Sequence, residues 1–220
     1  MPFIDRIDAG RRLAKALASY KTQNPIVLAL PRGGVPVAAE IAASLNAPLD
    51  LILVRKIGVP FQPELAMGAV VDGAAPLTVR NEEVITLAGI SEQDFSAARD
   101  QELAEIERRR KAYLGDRPHP ELAGRTVIVV DDGIATGATT RAALQAMRLR
   151  KPSKLVLAVP VAPTDTLRKL RAEADDVVCL EDYEDFGAIG YFYSDFRQLS
   201  DADVINLLKL HPATSPSAPK

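Results

Sequence analysis

The stretch Thr126–Leu149, TVIVVDDGIATGATTRAALQAMRL, decides the fold. Its first five residues are all β-branched, and the apolar ones follow one another without alternation, as in a strand buried on both faces of a parallel sheet. Two adjacent acids and a Gly- and Thr-containing turn follow, and RAALQAMRL then reads as a helix. The first N–H groups of a helix are unpaired and carry the positive end of its dipole, so the turn is a cradle for an anion. Thr136, Thr139 and Thr140 add hydroxyl donors, and Gly137 allows close backbone approach. Asp131 and Asp132 would repel a phosphate. As neighbours at a strand end they point in different directions, and they suit the hydroxyls of an attached sugar, with room for a hydrated divalent cation beside them. Acids alone at a turn are commonplace; strand, paired acids and T-G-x-T turn in one register describe a site for a ribose 5-phosphate.

Working outward, the same alternation recurs. Helix-like text at Asp8–Tyr20 precedes IVLAL (Ile26–Leu30), a Gly-containing turn and a helix over Val35–Leu45. Further strands are expected at Leu49–Val54, Leu155–Val161 and Asp176–Leu180, with no internal repeat. The pattern predicts a doubly wound α/β fold with a mainly parallel sheet, in which ligands bind beyond the carboxyl ends of the strands. Residues 1–210 are expected to form a single domain, with a core over about 1–180 and a small C-terminal hood over 181–210. The tail 211–220, HPATSPSAPK, has a disordered composition. Residues 55–80 are too long and too broken by Gly and Pro for an ordinary connection and predict a flexible lid or hairpin. Ser91 with Asp94 marks the start of a helix reaching Leu114, with the charge run Glu105–Lys111 on its solvated face.

The segment Ile128–Thr140, an apolar strand, two acids and then A-T-G-A-T, resembles the PRPP-binding signature of type I phosphoribosyltransferases. The resemblance implies that Asp131 and Asp132 hold the ribose hydroxyls of 5-phosphoribosyl 1-pyrophosphate (PRPP) and that Ala135, Thr136, Gly137, Ala138 and Thr139 hold its 5-phosphate. One departure is informative: members acting on 6-oxopurines usually carry Asp where Ala135 stands, which counts against hypoxanthine or guanine as acceptor.

After the first strand, Arg32-Gly33-Gly34 leads into a helix with Pro36 in its first turn. This is a second helix-start anion site, with Arg32 as a fixed bidentate cation. R-G-G alone is equally an ordinary tight turn, but the same family uses the loop after its first core strand for pyrophosphate. Arg55 and Lys56, read as the end of the second strand, stand where similar proteins meet the pyrophosphate before a mobile loop; a contribution from Glu64 or near Asp72 is left open. The resemblance also implies Mg²⁺ as cofactor, carried by substrate and water near Asp131 and Asp132 with no direct protein ligand.

Absent motifs exclude much else. No G-x-x-x-x-G-K-[ST], G-x-G-x-x-G or G-x-S-x-G is present, and His119 and His211 lie beside prolines without metal-ligand spacing. Cys179, in VVCL, reads as an inert buried thiol. A net charge of −2 gives no general pull on nucleic acid, and neither a signal peptide nor a membrane span is visible, so a cytoplasmic protein is expected. Phe186, Tyr191, Phe192 and Tyr193 in the hood could stack a planar base or pack on the core. The expected function is pentosyl transfer, a phosphoribosyltransferase moving the 5-phosphoribosyl group from PRPP to a nitrogenous acceptor, a nucleobase first among them. Arg32 and Lys56 would stabilise the leaving pyrophosphate. The alternatives are a PRPP- or nucleotide-binding regulator and PRPP synthesis, for whose duplicated architecture the chain is short. The expected partners are small molecules and a second copy of the chain, with no nucleic acid and no membrane.

Overall fold

The computed structural model describes residues 3–73 and 75–210, apart from the side chain of Glu64. The tail 211–220, including His211, lies outside the described residues. The chain opens with α1 (Arg6–Ala16), β1 (Ile26–Ala29), α2 (Gly34–Leu45) and β2 (Leu49–Leu51). An excursion follows: β3 (Val54–Val59), β4 (Gln62–Val71), β5 (Leu77–Arg80), α3 (Glu82–Leu87) and α4 (Glu92–Leu114). The main sheet resumes with β6 (Thr126–Val130), α5 (Ala138–Leu149), β7 (Lys154–Pro163), α6 (Thr164–Leu170) and β8 (Asp176–Tyr183), and α7 (Asp201–Leu210) closes the described chain.

The central sheet has five parallel strands in the order β2-β1-β6-β7-β8. Successive residues of a strand face opposite sides, and both sides are covered. Val27 and Ala29 belong to one core with α2, while Ile26 and Leu28 belong to the other with α5. That double burial is why the strands read as continuous apolar runs. The helices leaving the neighbouring strands β1 and β6 pack on opposite faces, so a crevice opens between the carboxyl ends of those two strands, at the point where the strand order reverses.

The excursion differs from its expected form. Leu49–Val54 reads as one strand, but the chain changes sheets within it. The Ile52 amide still donates to Ala29 O of the main sheet (2.9 Å), whereas Leu53 O accepts from the Asp72 amide (2.8 Å) and Val54 pairs with Val71. Ile52 and Leu53 are both buried, so no break in hydrophobicity marks the crossing. Residues 55–80 then build an antiparallel three-stranded sheet, β3-β4-β5, with irregular register around Gly58. Arg55 and Lys56 therefore lie on this second sheet and not at the edge of the first.

The helix α4 starts as its sequence predicts, with the Ser91 hydroxyl accepting from the Asp94 amide. Its charge run is not wholly solvated, because Arg110 turns inward to Asp72 at 3.0 Å. Cys179 lies on β8 and its thiol contacts Glu181 O; burial pushes it up to about 11, so it stays protonated and unreactive. No helix among the described residues is long and apolar enough to cross a membrane.

Candidate active site

The crevice between β1 and β6 brings together segments a hundred residues apart. Past β1, the Leu30 amide continues the parallel pairing onto Val130 O (2.9 Å), and the Gly34 amide closes a turn onto Leu30 O (3.0 Å). The turn holds the Pro31–Arg32 peptide in the cis form. It lies directly on the segment after β6. A Cβ at Gly33 would fall inside the Asp132 carboxylate, and one at Gly34 would come within 2.6 Å of Val130 O. At Gly34 the obstacle is backbone and only glycine fits, whereas a side chain at Gly33 would have to displace the Asp132 carboxylate.

The second turn is anchored from behind and open in front. The Ile134 amide donates to Val161 O (3.0 Å) and the Thr166 hydroxyl to Ala135 O (3.2 Å). Gly137, with φ 74°, caps α5 from the left-handed region and lies against Thr166. Ala135, Thr136, Ala138 and Thr139 are exposed, whereas Thr140 is buried. The open face is thus a row of small residues ending in the amides of a helix twelve residues long.

The two acids divide their contacts. Asp131 Oδ1 accepts from the Asp132 amide (2.9 Å). Burial, and then the charge of Asp132, push the Asp131 carboxyl well above the usual carboxylate range. Asp132 Oδ2 accepts from Arg6 Nε at 2.7 Å, with both side chains 11% exposed. The Asp132 carbonyl accepts from the Tyr193 hydroxyl at 2.5 Å. Arg6 and Tyr193 are the residues sequence reasoning missed in this role. Arg6 stands near Arg11 and Arg12 in a polar helix, and nothing local separates it from them; its distinguishing partner is 126 positions away.

The basic residues are dispersed. Arg32 lies 3.7 Å from Asp201 at the start of α7, and with Arg6, Gly33, Asp132, Phe196, Gln198 and Leu199 it borders a cleft of about 300 Å³. Arg55 is held by Glu102 of α4 at 2.6 Å. Lys56 is exposed. Both border a larger cleft of about 800 Å³ beneath the hairpin, which Thr139 also borders, so the hairpin faces the start of α5.

Asp72 belongs elsewhere. Almost fully buried, it is bound by Arg110 and lies 3.5 Å from His119 Nε2, whose Nδ1 lies 3.7 Å from the buried Asp50. His119 is therefore a half-buried structural residue. The hood aromatics pack on one another: Tyr183 and Phe186 stack on Phe192 (4.8 and 4.9 Å between ring centres), and Tyr193 on Phe196 (4.9 Å). Arg6 covers Phe196 at 3.9 Å. Tyr191 stays exposed, beside Gly187.

No three His, Cys, Asp or Glu groups among the described residues converge as a metal cage. Asp131 Oδ2 and Asp132 Oδ1 lie outside the two bonds above, a donor set that fits a hydrated Mg²⁺ brought in on its substrate.

The doubly wound sheet thus sets two helix starts, those of α2 and α5, on either side of paired carboxylates. The phosphoribosyl transferase domain model matches residues 4–197, and the chain belongs to that family. It is 46% identical over 206 residues to the Mycobacterium tuberculosis H37Rv protein named "Putative phosphoribosyl transferase Rv0571c", covering 94% of this chain and 46% of that one. The chain thus spans about half the length of the curated relatives it matches. Among solved structures it is similar to TT1426 from Thermus thermophilus, with a TM-score of 0.80 and 40% identity, covering 96% of this chain and all of that one.

Proposed function

We propose that this protein transfers the 5-phosphoribosyl group of PRPP to a nitrogenous acceptor, with a nucleobase first among the candidates, and releases pyrophosphate. The reading rests above all on the contact of Gly33 with Asp132, which sets one anion cradle on each side of the paired carboxylates. That spacing suits a ribose with phosphate at one end and pyrophosphate at the other. In the reaction the bond from C1 to the pyrophosphate oxygen breaks, the acceptor nitrogen bonds to C1, and the acceptor's proton passes to solvent or product.

In this reading Ala135–Thr139 hold the 5-phosphate, and Asp131 and Asp132 accept from the ribose hydroxyls. The Gly33 and Gly34 amides with Arg32 bear the leaving charge, and Lys56 and Arg55 meet it when the hairpin approaches. Bound Mg²⁺ would add positive charge at the pyrophosphate. Catalysis here is positioning and charge stabilisation. Arg55 would first have to leave Glu102.

A second reading, a PRPP- or nucleotide-binding regulator, is favoured by two observations. Ala135 offers no proton acceptor, and the hood rings are mostly engaged with one another. One experiment separates the two: purified protein with Mg²⁺, PRPP and a panel of purines, pyrimidines and small amines, followed by pyrophosphate release. Turnover with one acceptor, lost in Asp131→Asn/Asp132→Asn, supports the transferase. Tight PRPP binding without turnover on any acceptor supports the regulator, and no binding of PRPP rejects the transferase and the PRPP-binding form of the regulator.

A further inference from the structure

The N-terminal segment and the hood meet beside the paired carboxylates. The Phe3 amide donates to Phe192 O (2.7 Å), and the Ser194 amide donates back to Phe3 O (2.8 Å). This weave carries Arg6 over the crevice. There its guanidinium makes three contacts: Nε to Asp132 Oδ2 at 2.7 Å, Nη1 to Arg197 O at 2.9 Å, and its flat face on the Phe196 ring at 3.9 Å. Phe196 in turn stacks on Tyr193, whose hydroxyl holds the Asp132 carbonyl. Asp132 is thereby fixed at its backbone by Tyr193 of the hood and at one carboxylate oxygen by Arg6 of the N-terminal segment.

Left alone, that carboxylate would be a poor sugar ligand. It adjoins Asp131, and like charges at such a distance drive side chains apart or force one to take up a proton. It also lies against Gly33, where a Cβ would displace it. A guanidinium in charge-assisted contact relieves part of that repulsion and holds the group to one orientation.

Resting on the phosphoribosyl reading, we propose that Arg6 is a positioning residue for the ribose: it fixes Asp132 by Oδ2 so that Oδ1 is presented to a sugar hydroxyl, and ties that placement to the hood. Arg6 and Phe196 also border the 300 Å³ cleft with Arg32, so a molecule entering there touches the residues that hold Asp132.

The test compares the wild type with Arg6→Met and Arg6→Lys by calorimetry, with PRPP and with inorganic pyrophosphate, each with Mg²⁺. Losing a charge-assisted hydrogen bond should weaken PRPP binding by about 10- to 100-fold in Arg6→Met, and pyrophosphate binding by less, because that ligand has no ribose for Asp132 to hold. Arg6→Lys, which keeps the charge and one donor, should recover part of the loss. Loosened packing alone would lower the melting temperature without separating the two ligands. Wild-type PRPP affinity in Arg6→Met, equal losses for both ligands, or an Arg6→Lys no better than Arg6→Met would overturn the inference. A wild type that binds no PRPP would reject the phosphoribosyl reading and this inference together.

Discussion

At the scale of single residues, the site is built by what is missing as much as by what is present. Gly33 has φ −60°, ordinary for any residue, so its glycine is required by the neighbouring carboxylate alone. Gly124 is the opposite case, with φ 69° and nothing within 4 Å of a built Cβ. The two positions predict different failures. Gly33→Ala should displace Asp132 and weaken PRPP binding at least about tenfold, by loss of a hydrogen bond to a charged group. Gly124→Ala should cost about 1–2 kcal/mol of stability through left-handed backbone strain and leave ligand affinity intact. Calorimetric titration and chemical denaturation of both variants check this, and equal ligand affinities would show that Gly33 does not set the position of Asp132.

At the scale of elements, the hairpin sheet is joined to the core through a buried charge cluster. Asp50 comes from β2, Asp72 follows β4, Arg110 lies on α4, and Arg117 and His119 belong to the connection into β6. Arg117 donates to Leu49 O, and neither Asp50 oxygen has a hydrogen bond among the described residues. Burial pushes the His119 imidazole down, but the Asp50 and Asp72 carboxylates push it up by more, and it lies above its ordinary 6.5. A raised folded value means that His119 stabilises the fold fully below the unfolded value and loses that contribution as pH rises through the folded value. Asp72 has the opposite sign. Burial raises it, His119 and Arg110 lower it by more, and its contribution is lost as acid titrates it. Melting temperatures from about pH 6 to pH 9 should therefore fall for the wild type relative to His119→Gln. Parallel curves would show that the imidazole bears no charge between the two acids.

At the scale of the molecule, PRPP bound in the crevice as proposed would favour the folded state and find no equivalent site in the unfolded one. PRPP with Mg²⁺ at 100 times its Kd should add about 2.7 kcal/mol. For a domain of this size that corresponds to a rise of roughly 5–10 °C in Tm. Thermal melts with and without PRPP, and with Asp131→Asn/Asp132→Asn as control, measure it; a rise that persists in the double variant would put the ligand elsewhere.

Sequence alone was enough for whatever is local. The β-branched run Thr126–Val130, the acids after it and the Gly- and Thr-rich entry to α5 lie within one strand, turn and helix, so hydrophobic period and helix-start chemistry identify them. Arg32-Gly33-Gly34 reads locally as no more than a tight strand-to-helix turn, and its contact with Asp132 appears only in the fold. The change of sheet at Leu53 was not, because both sheets bury their residues alike and period cannot tell them apart. Nor were the engagement of Arg55 by Glu102, the stacking of hood rings on each other, and the inward turn of Arg110 and His119. Arg6 is the clearest case: a surface-like arginine near the start of the chain acquires its meaning when the N-terminal segment and the hood fold together over Asp132. Pairings between distant residues depend on loop paths and packing, and those are settled by the free energy of the whole fold, to which no short window of sequence has access.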